Sequence, residues 1–156
     1  MMATLHLMVG LPCSGKTTLA KRLENELGAL RLTPDDWHRR LFGQDAEHAD
    51  HDARHSQIEA IQWEIASAIL KQGVDVILDF GLWSRMERDD FKQRALDIGA
   101  TSRIHFCDAP FVDLLARLEQ RNTQSPETTT HIPPALMQSY LERFEAPDKS
   151  ELRGAE

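Results

Sequence analysis

The sequence predicts a three-layer α/β protein in which a short parallel sheet of four strands is flanked by helices. Two observations lead to this fold. Apolar segments of strand length alternate with segments of helical periodicity along the 156 residues, and a glycine-rich loop joins the first strand to the first helix. Strands that alternate with helices need right-handed crossover connections, which place the strands parallel to one another in one sheet.

The glycine-rich loop is the most specific motif in the chain. Residues 10–18 have the sequence GLPCSGKTT, which fits the pattern G-x-x-x-x-G-K-[ST]. The apolar segment 4–9 precedes the loop, and a helical segment with leucines at positions 19, 23 and 27 follows it and ends at Gly28. A strand, this loop and a helix in that order predict the phosphate-binding loop (P-loop) of the P-loop NTPase fold.

The same loop predicts a nucleotide site. Glycine at positions 10 and 15 lets the backbone turn tightly, and the amides at the start of the helix favour a phosphate. We expect Lys16 to reach the β- and γ-phosphates, the Thr17 hydroxyl to bind Mg²⁺ and Thr18 to contact the α-phosphate side. The loop residues predicted to bind nucleotide are Gly10, Pro12, Cys13, Ser14, Gly15, Lys16, Thr17 and Thr18.

The remaining elements follow from local signals. Thr33 and Pro34 predict a helix start, Ser84 and Glu87 form a capping box, and prolines 110 and 133 open two later helices. The other predicted elements are strands over 29–32, 74–79 and 102–107 and a long helix over 56–72 with isoleucines 58, 61, 65 and 69 on its apolar face. We expect one domain over residues 1–148, with a helical lid around 110–132, and a frayed polar tail over 149–156.

Acidic residues follow two of the predicted strands, at the sheet edge where ligands of open α/β sheets bind. A carboxylate here could orient an acceptor hydroxyl and accept its proton, and we expect Asp35 to do so. The alternative is that Asp35 and Asp36 only complement the dipole of the helix start, a role that suits Asp36. Asp79 ends an apolar strand as a metal-binding acid does, and it could instead bind substrate together with Trp83.

Arg117 and Arg121 lie four residues apart and so share one helix face. A helix and loop of this kind can close over a nucleotide and bring arginine to the transferred charge. The alternative is a solvated basic face. His48, His51 and His55 would also share a face, but nothing completes a zinc set, so a solvated polar segment is the favoured interpretation.

Composition limits the partners. The net charge of −7 argues against a nucleic-acid partner, since phosphate backbones bind to basic surfaces. No apolar run reaches the roughly 20 residues of a membrane span, and no signal peptide is evident. The two cysteines, Cys13 and Cys107, form neither a disulfide framework nor a zinc pattern, which favours a cytoplasmic setting.

The motifs in chain order resemble the small P-loop kinases grouped as AAA-type ATP-binding proteins, of the zeta-toxin, chloramphenicol phosphotransferase and polynucleotide 5′-kinase kind. The motifs that carry this resemblance are the loop at 10–18, TPDD at 33–36, LDFGLWSR at 78–85, Arg88, Arg117, Arg121 and FEAPD at 144–148. The resemblance implies ATP as nucleotide, Asp35 as base, Arg117 and Arg121 as phosphate contacts, and Arg88 as part of the substrate site. The family's usual fifth strand has no evident candidate here.

These observations lead to one functional expectation. The protein is expected to be an ATP- and Mg²⁺-dependent kinase that transfers the γ-phosphate to a hydroxyl of a small molecule, either an antibiotic or a sugar-like metabolite. The alternatives are a polynucleotide 5′-kinase, a nucleotide-sugar kinase of the zeta-toxin kind, and an ATP-binding switch without kinase activity. We expect a monomer or a homodimer.

Overall fold

The computed structural model describes residues 2–153 and confirms the α/β fold. Four parallel strands form one sheet in the order β2-β3-β1-β4. The strands are β1 (Thr4–Val9), β2 (Leu30–Leu32), β3 (Val76–Gly81) and β4 (Thr101–Phe106). The helices are α1 (Lys16–Leu27), α2 (Pro34–Phe42), α3 (His51–Lys71), α4 (Arg85–Asp97), α5 (Phe111–Arg121), α6 (Pro134–Arg143) and α7 (Lys149–Arg153).

Alternate residues of the central strands face two different helical layers. Leu5 and Leu7 of β1 are fully buried in a core with Ala66 of α3 and Ala95 of α4. Met8, on the opposite face of β1, packs in a second core with residues of α1. This period-two alternation explains why β1 is mostly apolar on both faces, and it produces the three layers.

The predicted apolar face of the long helix is partly wrong. Ile58 is buried, but Ile61 is 50% exposed. The buried face instead runs along every fourth residue through Gln62, Ala66 and Leu70. Small Ala66 lets α3 approach the sheet closely, so the helix turns this face inward and leaves Ile61 outside.

The chain after residue 148 is not frayed as far as Arg153. Residues Lys149–Arg153 form α7, which contacts β4. Glu151 is 3% exposed and is therefore part of the interior. The sequence gives no local signal for this burial, because the partner of Glu151 is Arg88 of α4, 63 residues away.

None of the described helices is both long enough and apolar enough to cross a membrane.

Candidate active site

The loop between β1 and α1 is held in a shape that only glycine allows at its first position. Gly10 has φ +155°, and a Cβ there would lie 2.6 Å from Ser14 Oγ and 2.7 Å from the Cys107 carbonyl oxygen. The Gly10 amide donates a hydrogen bond to the Gly81 carbonyl oxygen at 3.1 Å. At the other end of the loop, Gly15 caps α1 with φ 98°. The loop therefore presents its backbone directly at the start of the helix.

A cavity of about 600 Å³ opens over this loop. Residues 12–18 line one wall, and Arg117, Arg121 and Asp35 contribute to the others. The Ser14 hydroxyl is buried and has no hydrogen-bond partner among residues 2–153. Amides at a helix start, the Lys16 ammonium and an unpaired hydroxyl form an environment suited to phosphate groups.

Asp79 lies beside the loop and is shared by two threonine hydroxyls. Thr17 Oγ1 donates to Asp79 Oδ2 at 2.6 Å, and Thr33 Oγ1 donates to the same oxygen at 3.1 Å. Asp79 is 6% exposed, and its other oxygen, Oδ1, is buried with no partner within the described chain. A buried carboxylate oxygen without a donor, next to a hydroxyl, fits a hard cation such as Mg²⁺.

The two acids after β2 have different surroundings. Asp36 pairs with Arg39 at 2.9 Å and with Arg31 at 3.5 Å. Asp35 is exposed, and no hydrogen bond or ion pair involves its side chain among residues 2–153. Asp35 lines the loop cavity together with Lys16 and Thr17. Only Asp35 is therefore free to meet a ligand.

The predicted lid arginines reach the phosphate-binding loop. Arg117 Nη1 donates to the Cys13 carbonyl oxygen at 3.1 Å, and Arg121 Nη1 lies 3.7 Å from Cys13 Sγ. Both guanidinium groups come from α5 and line the loop cavity. Arg117 is exposed and Arg121 is half-buried, so both guanidinium groups contact the loop while they remain open to solvent.

The loop that follows α5 is attached to α2, the helix that carries Asp35. Arg39 donates to the Glu127 carbonyl oxygen at 3.0 Å and to Thr130 Oγ1 at 3.1 Å. Gln44, just after α2, donates to the Thr129 carbonyl oxygen at 2.8 Å. Arg39 therefore attaches the loop after α5 to α2.

A second cavity of about 330 Å³ adjoins the first. Four residues line both cavities and mark the junction between them: Pro12, Lys16, Thr17 and Asp35. The rest of the second cavity's wall includes Asp52, Glu59, Asp79, Trp83, Glu87, Tyr140 and Arg143. Trp83 packs on Tyr140 with ring centroids 4.8 Å apart.

The comparisons with known proteins agree with this geometry. The family model described as an AAA domain matches residues 5–147. The chain belongs to this AAA domain family. No curated protein sequence matches the chain significantly.

Solved structures with the same fold support the assignment of this AAA-domain protein. A candidate kinase from Chloroflexus aurantiacus is 18% identical, with a TM-score of 0.74 over 95% of this chain and 83% of that chain. A sugar kinase from Janibacter sp. is 22% identical, with a TM-score of 0.69 over 97% of this chain and 82% of that chain. A chain of the Pnkp1/Rnl/Hen1 RNA repair complex is 23% identical, with a TM-score of 0.72 over 91% of this chain and 44% of that chain. At these identities the likeness is one of fold, and the fold is the kinase-like, nucleotide-binding P-loop fold.

Glu59 is a site residue of the AAA-domain protein that sequence reasoning missed. It lies on α3, one residue past the buried Ile58, and it faces the second cavity. Burial raises the pKa of Glu59 to about 8, and the nearby charges of Glu87 and Asp35 raise it as well. On the sequence, Glu59 is one acid among many on a helix, and nothing local distinguishes it.

The prediction that Arg88 binds substrate is corrected by the structure. Arg88 is fully buried, and its Nε donates to Glu151 Oε1 at 2.8 Å while Nη2 donates to Glu151 Oε2 at 3.2 Å. Its Nη1 donates to the Leu82 carbonyl oxygen at 2.9 Å. The side chain therefore points away from the cavities and fixes the turn after β3. No sequence signal links Arg88 to Glu151, because the two lie 63 residues apart.

The histidines form a buried network rather than a solvated segment. Asp45 Oδ1 contacts His38 Nε2 at 2.5 Å and His51 Nδ1 at 2.7 Å, and Arg54 pairs with Asp45 Oδ2 at 3.0 Å. Burial by itself would raise the pKa of Asp45, but hydrogen bonds from these three partners outweigh it and lower the pKa.

Two of the predicted histidines therefore belong to this network, while His48 only accepts a hydrogen bond from the Asp50 amide at 3.0 Å. His51 belongs to this network, and His55 joins it through a 3.3 Å contact with His38. His48 is exposed. The three groups that could bind a metal, His38, Asp45 and His51, are already paired with each other and with Arg54.

Proposed function

We propose that this AAA-domain protein is an ATP- and Mg²⁺-dependent kinase that transfers the γ-phosphate to a hydroxyl of a small molecule. The single observation that carries the proposal is the position of Asp35. Its unpaired carboxylate lies where the loop cavity meets the second cavity, beside Lys16 and Thr17. A base for an acceptor hydroxyl has to stand between the phosphate donor and the acceptor.

The donor side uses the loop and its neighbours. The loop amides and Lys16 would hold the β- and γ-phosphates, and Thr17 and Asp79 would hold Mg²⁺, as the unpartnered Asp79 Oδ1 supports. When bound, the ion offsets the negative charge of the phosphates. Arg117 and Arg121, which already reach Cys13 of the loop, would stabilise the charge on the transferred group.

The transfer itself is an in-line displacement. The acceptor oxygen forms a bond to the γ-phosphorus while the bond from that phosphorus to the bridging β–γ oxygen breaks. The hydroxyl proton passes to Asp35 and then to solvent. The products are ADP and a phosphate ester of the acceptor.

The acceptor side favours a small molecule. The second cavity is about 330 Å³, which suits a ligand of one or two rings. The likeness to a sugar kinase supports a sugar-like metabolite or an antibiotic of similar size. Use of ATP and the two free cysteines, Cys13 and Cys107, support a cytoplasmic setting.

The experiment compares two neighbouring acids. Transfer from γ-labelled ATP is measured over a panel of aminoglycosides, phenicols, nucleosides, sugars and 5′-hydroxyl oligonucleotides, and ATP binding is measured by calorimetry. Asp35→Asn should lower kcat by about 10²–10⁴-fold while ATP still binds. Asp36→Asn is the matched control and should retain transfer, because its carboxylate is paired with Arg39 and Arg31.

Two results would contradict the proposal. If Asp35→Asn transferred phosphate as fast as the unchanged protein, the carboxylate would not be the base. If no acceptor were phosphorylated and slow ATP hydrolysis persisted in Asp35→Asn, the protein would be a nucleotide-dependent switch.

A further inference from the structure

The second cavity is lined by more carboxylates than lysines and arginines. Its carboxylates are Asp35, Asp52, Glu59, Asp79 and Glu87, and its lysines and arginines among the described residues are Lys16 and Arg143. His51 and His55 also line the cavity, and His51 already pairs with Asp45. Like charges gathered around one cavity repel one another unless a cation enters. The arrangement is unfavourable for an acceptor that is itself an anion.

Glu59 shows that the carboxylates act on one another. Burial is the largest cause that raises the pKa of Glu59 to about 8, and Glu87 and Asp35 contribute. With a pKa of about 8, Glu59 is mostly protonated at pH 7. A bound cation would favour its ionised form, so binding should release a proton.

The aromatic wall supports the same kind of ligand. Trp83 and Tyr140 stand together, and the Arg143 guanidinium lies 5.2 Å from the centre of the Trp83 ring. This contact is a cation–π interaction within the protein, in the same cavity. Burial raises the pKa of Tyr140, the charges of Asp52 and Asp35 raise it further, and the charge of Arg143 opposes them.

A buried acid adds an independent observation. Asp79 lines the cavity, is 6% exposed, and has one oxygen, Oδ1, without a partner in residues 2–153. Such an atom calls for a cationic or hydrogen-bond-donating ligand, and in the proposed reaction Mg²⁺ takes this place. Asp79 therefore marks the donor end of the second cavity, and the carboxylates of Asp35, Asp52, Glu59 and Glu87 remain for the acceptor.

We infer that the acceptor is a cation: a hydroxyl-bearing amine, such as an amino sugar, with its ammonium group among Asp52, Glu59 and Glu87 and its hydroxyl at Asp35. This inference rests on the proposed kinase function. The amine makes no bond in the reaction. The hydroxyl oxygen gains the phosphoryl group, the bridging oxygen of ATP leaves with ADP, and the hydroxyl proton goes to Asp35.

The first test varies the charge of the acceptor at nearly constant shape. Transfer from γ-labelled ATP is measured with glucosamine, glucose and gluconate, and with kanamycin as a larger polyamine. We expect kcat/KM for the amines to exceed that for glucose by about tenfold or more, because hydrogen bonds to charged groups contribute the most, and we expect gluconate to be the poorest.

Two variants on α3 test whether the preference for amine acceptors depends on a carboxylate that lines the cavity. Glu59→Gln should raise KM for the amine about tenfold with little change for glucose. Glu64→Gln is the matched control, because Glu64 is exposed on the same helix and does not line the cavity.

A second readout does not depend on turnover. Calorimetry of glucosamine binding with ADP and Mg²⁺ present, in two buffers of different ionisation enthalpy, gives the number of protons released. At pH 7 we expect more protons to be released by the unchanged protein than by Glu59→Gln. Absence of glucosamine binding at millimolar concentration would overturn the inference.

The outcomes separate the two proposals. If glucose or gluconate were phosphorylated better than the amines, the cationic acceptor would be wrong and the kinase function would stand. If no acceptor of any charge were phosphorylated while ATP bound, both would fail.

Discussion

The buried ion pair between Arg88 and Glu151 allows a sharp prediction about a residue that the family resemblance placed in the substrate site. The two side chains are 1% and 2% exposed and share two hydrogen bonds of 2.8 and 3.2 Å. Glu151→Ala would leave the guanidinium buried without its counter-charge. Removal of one partner from such a pair costs about 3–5 kcal/mol of the free energy of unfolding.

That cost is large for a protein of this size. With about 2–4 °C of melting temperature per kcal/mol, we expect Glu151→Ala to lower Tm by roughly 6–20 °C. Urea unfolding should show a lower midpoint at constant m-value. The double variant Arg88→Met/Glu151→Leu should recover most of the loss, because it removes both charges and keeps the volume filled.

A functional measurement completes this test. Because Arg88 lies behind the cavities, the double variant should bind ATP with the affinity of the unchanged protein. A loss below about 1 kcal/mol in Glu151→Ala would show that the pair is not a buried structural contact. A double variant that is well folded yet unable to bind ATP would show that Arg88 contributes to the nucleotide site.

Three further predictions follow from single side chains. Gly10→Ala should weaken ATP binding about a hundredfold in calorimetry, since its Cβ would lie 2.7 Å from the Cys107 carbonyl oxygen and displace the loop. Gln62→Leu should raise the free energy of unfolding in urea by about 1–3 kcal/mol, because the Gln62 amide is fully buried and has no partner among the described residues. Burial, with the charge of His6, lowers the pKa of His105 from 6.5 to about 4. The unfolded chain then binds more protons between these values, so stability should fall as pH drops from 6.5 towards 4, and His105→Asn should reduce that fall by about 1–2 kcal/mol.

Matched controls accompany these three predictions. Gly28→Ala is the control for Gly10→Ala. Gly28 has φ +63°, and a Cβ there would have no atom within 4 Å, so the variant should lower the free energy of unfolding and leave ATP affinity unchanged. Gln57→Leu, at an exposed site on the same helix as Gln62, should not stabilise the protein, and His48→Asn should leave the pH dependence unaltered. Equal effects in a variant and its control would contradict the corresponding reasoning.

Signals that act within a few residues predicted the fold well. β1 occupies Thr4–Val9 as expected, because its apolar run is bounded by the glycine-rich loop. Ser84 caps α4 by accepting a hydrogen bond from the Glu87 amide at 3.1 Å. In both cases the residues that decide the structure are neighbours in sequence.

Features that depend on distant partners were not predictable. Glu59 resembles any exposed helical acid until α3 places it in a cavity with Asp35 and Glu87. His38 gave no signal, yet it is central to the network around Asp45. The position of Asp35 after a strand made it a candidate base in the sequence. In the structure, the ion pairs of Asp36 show which of the two neighbouring carboxylates is already occupied. The roles of these residues in catalysis stay predictions.

The hydrogen bond from Arg88 to the Leu82 carbonyl oxygen affects how any mutational survey of this protein should be interpreted. Leu82 has φ 43°, a left-handed conformation that is rare for leucine, and Trp83 follows it directly. The Arg88 guanidinium, which does not line the cavities, therefore fixes the turn before Trp83, whose side chain lines the second cavity. Reduced turnover after a change at Arg88 would report a displaced tryptophan, and a scan that scored activity alone would count a scaffold residue as a ligand contact.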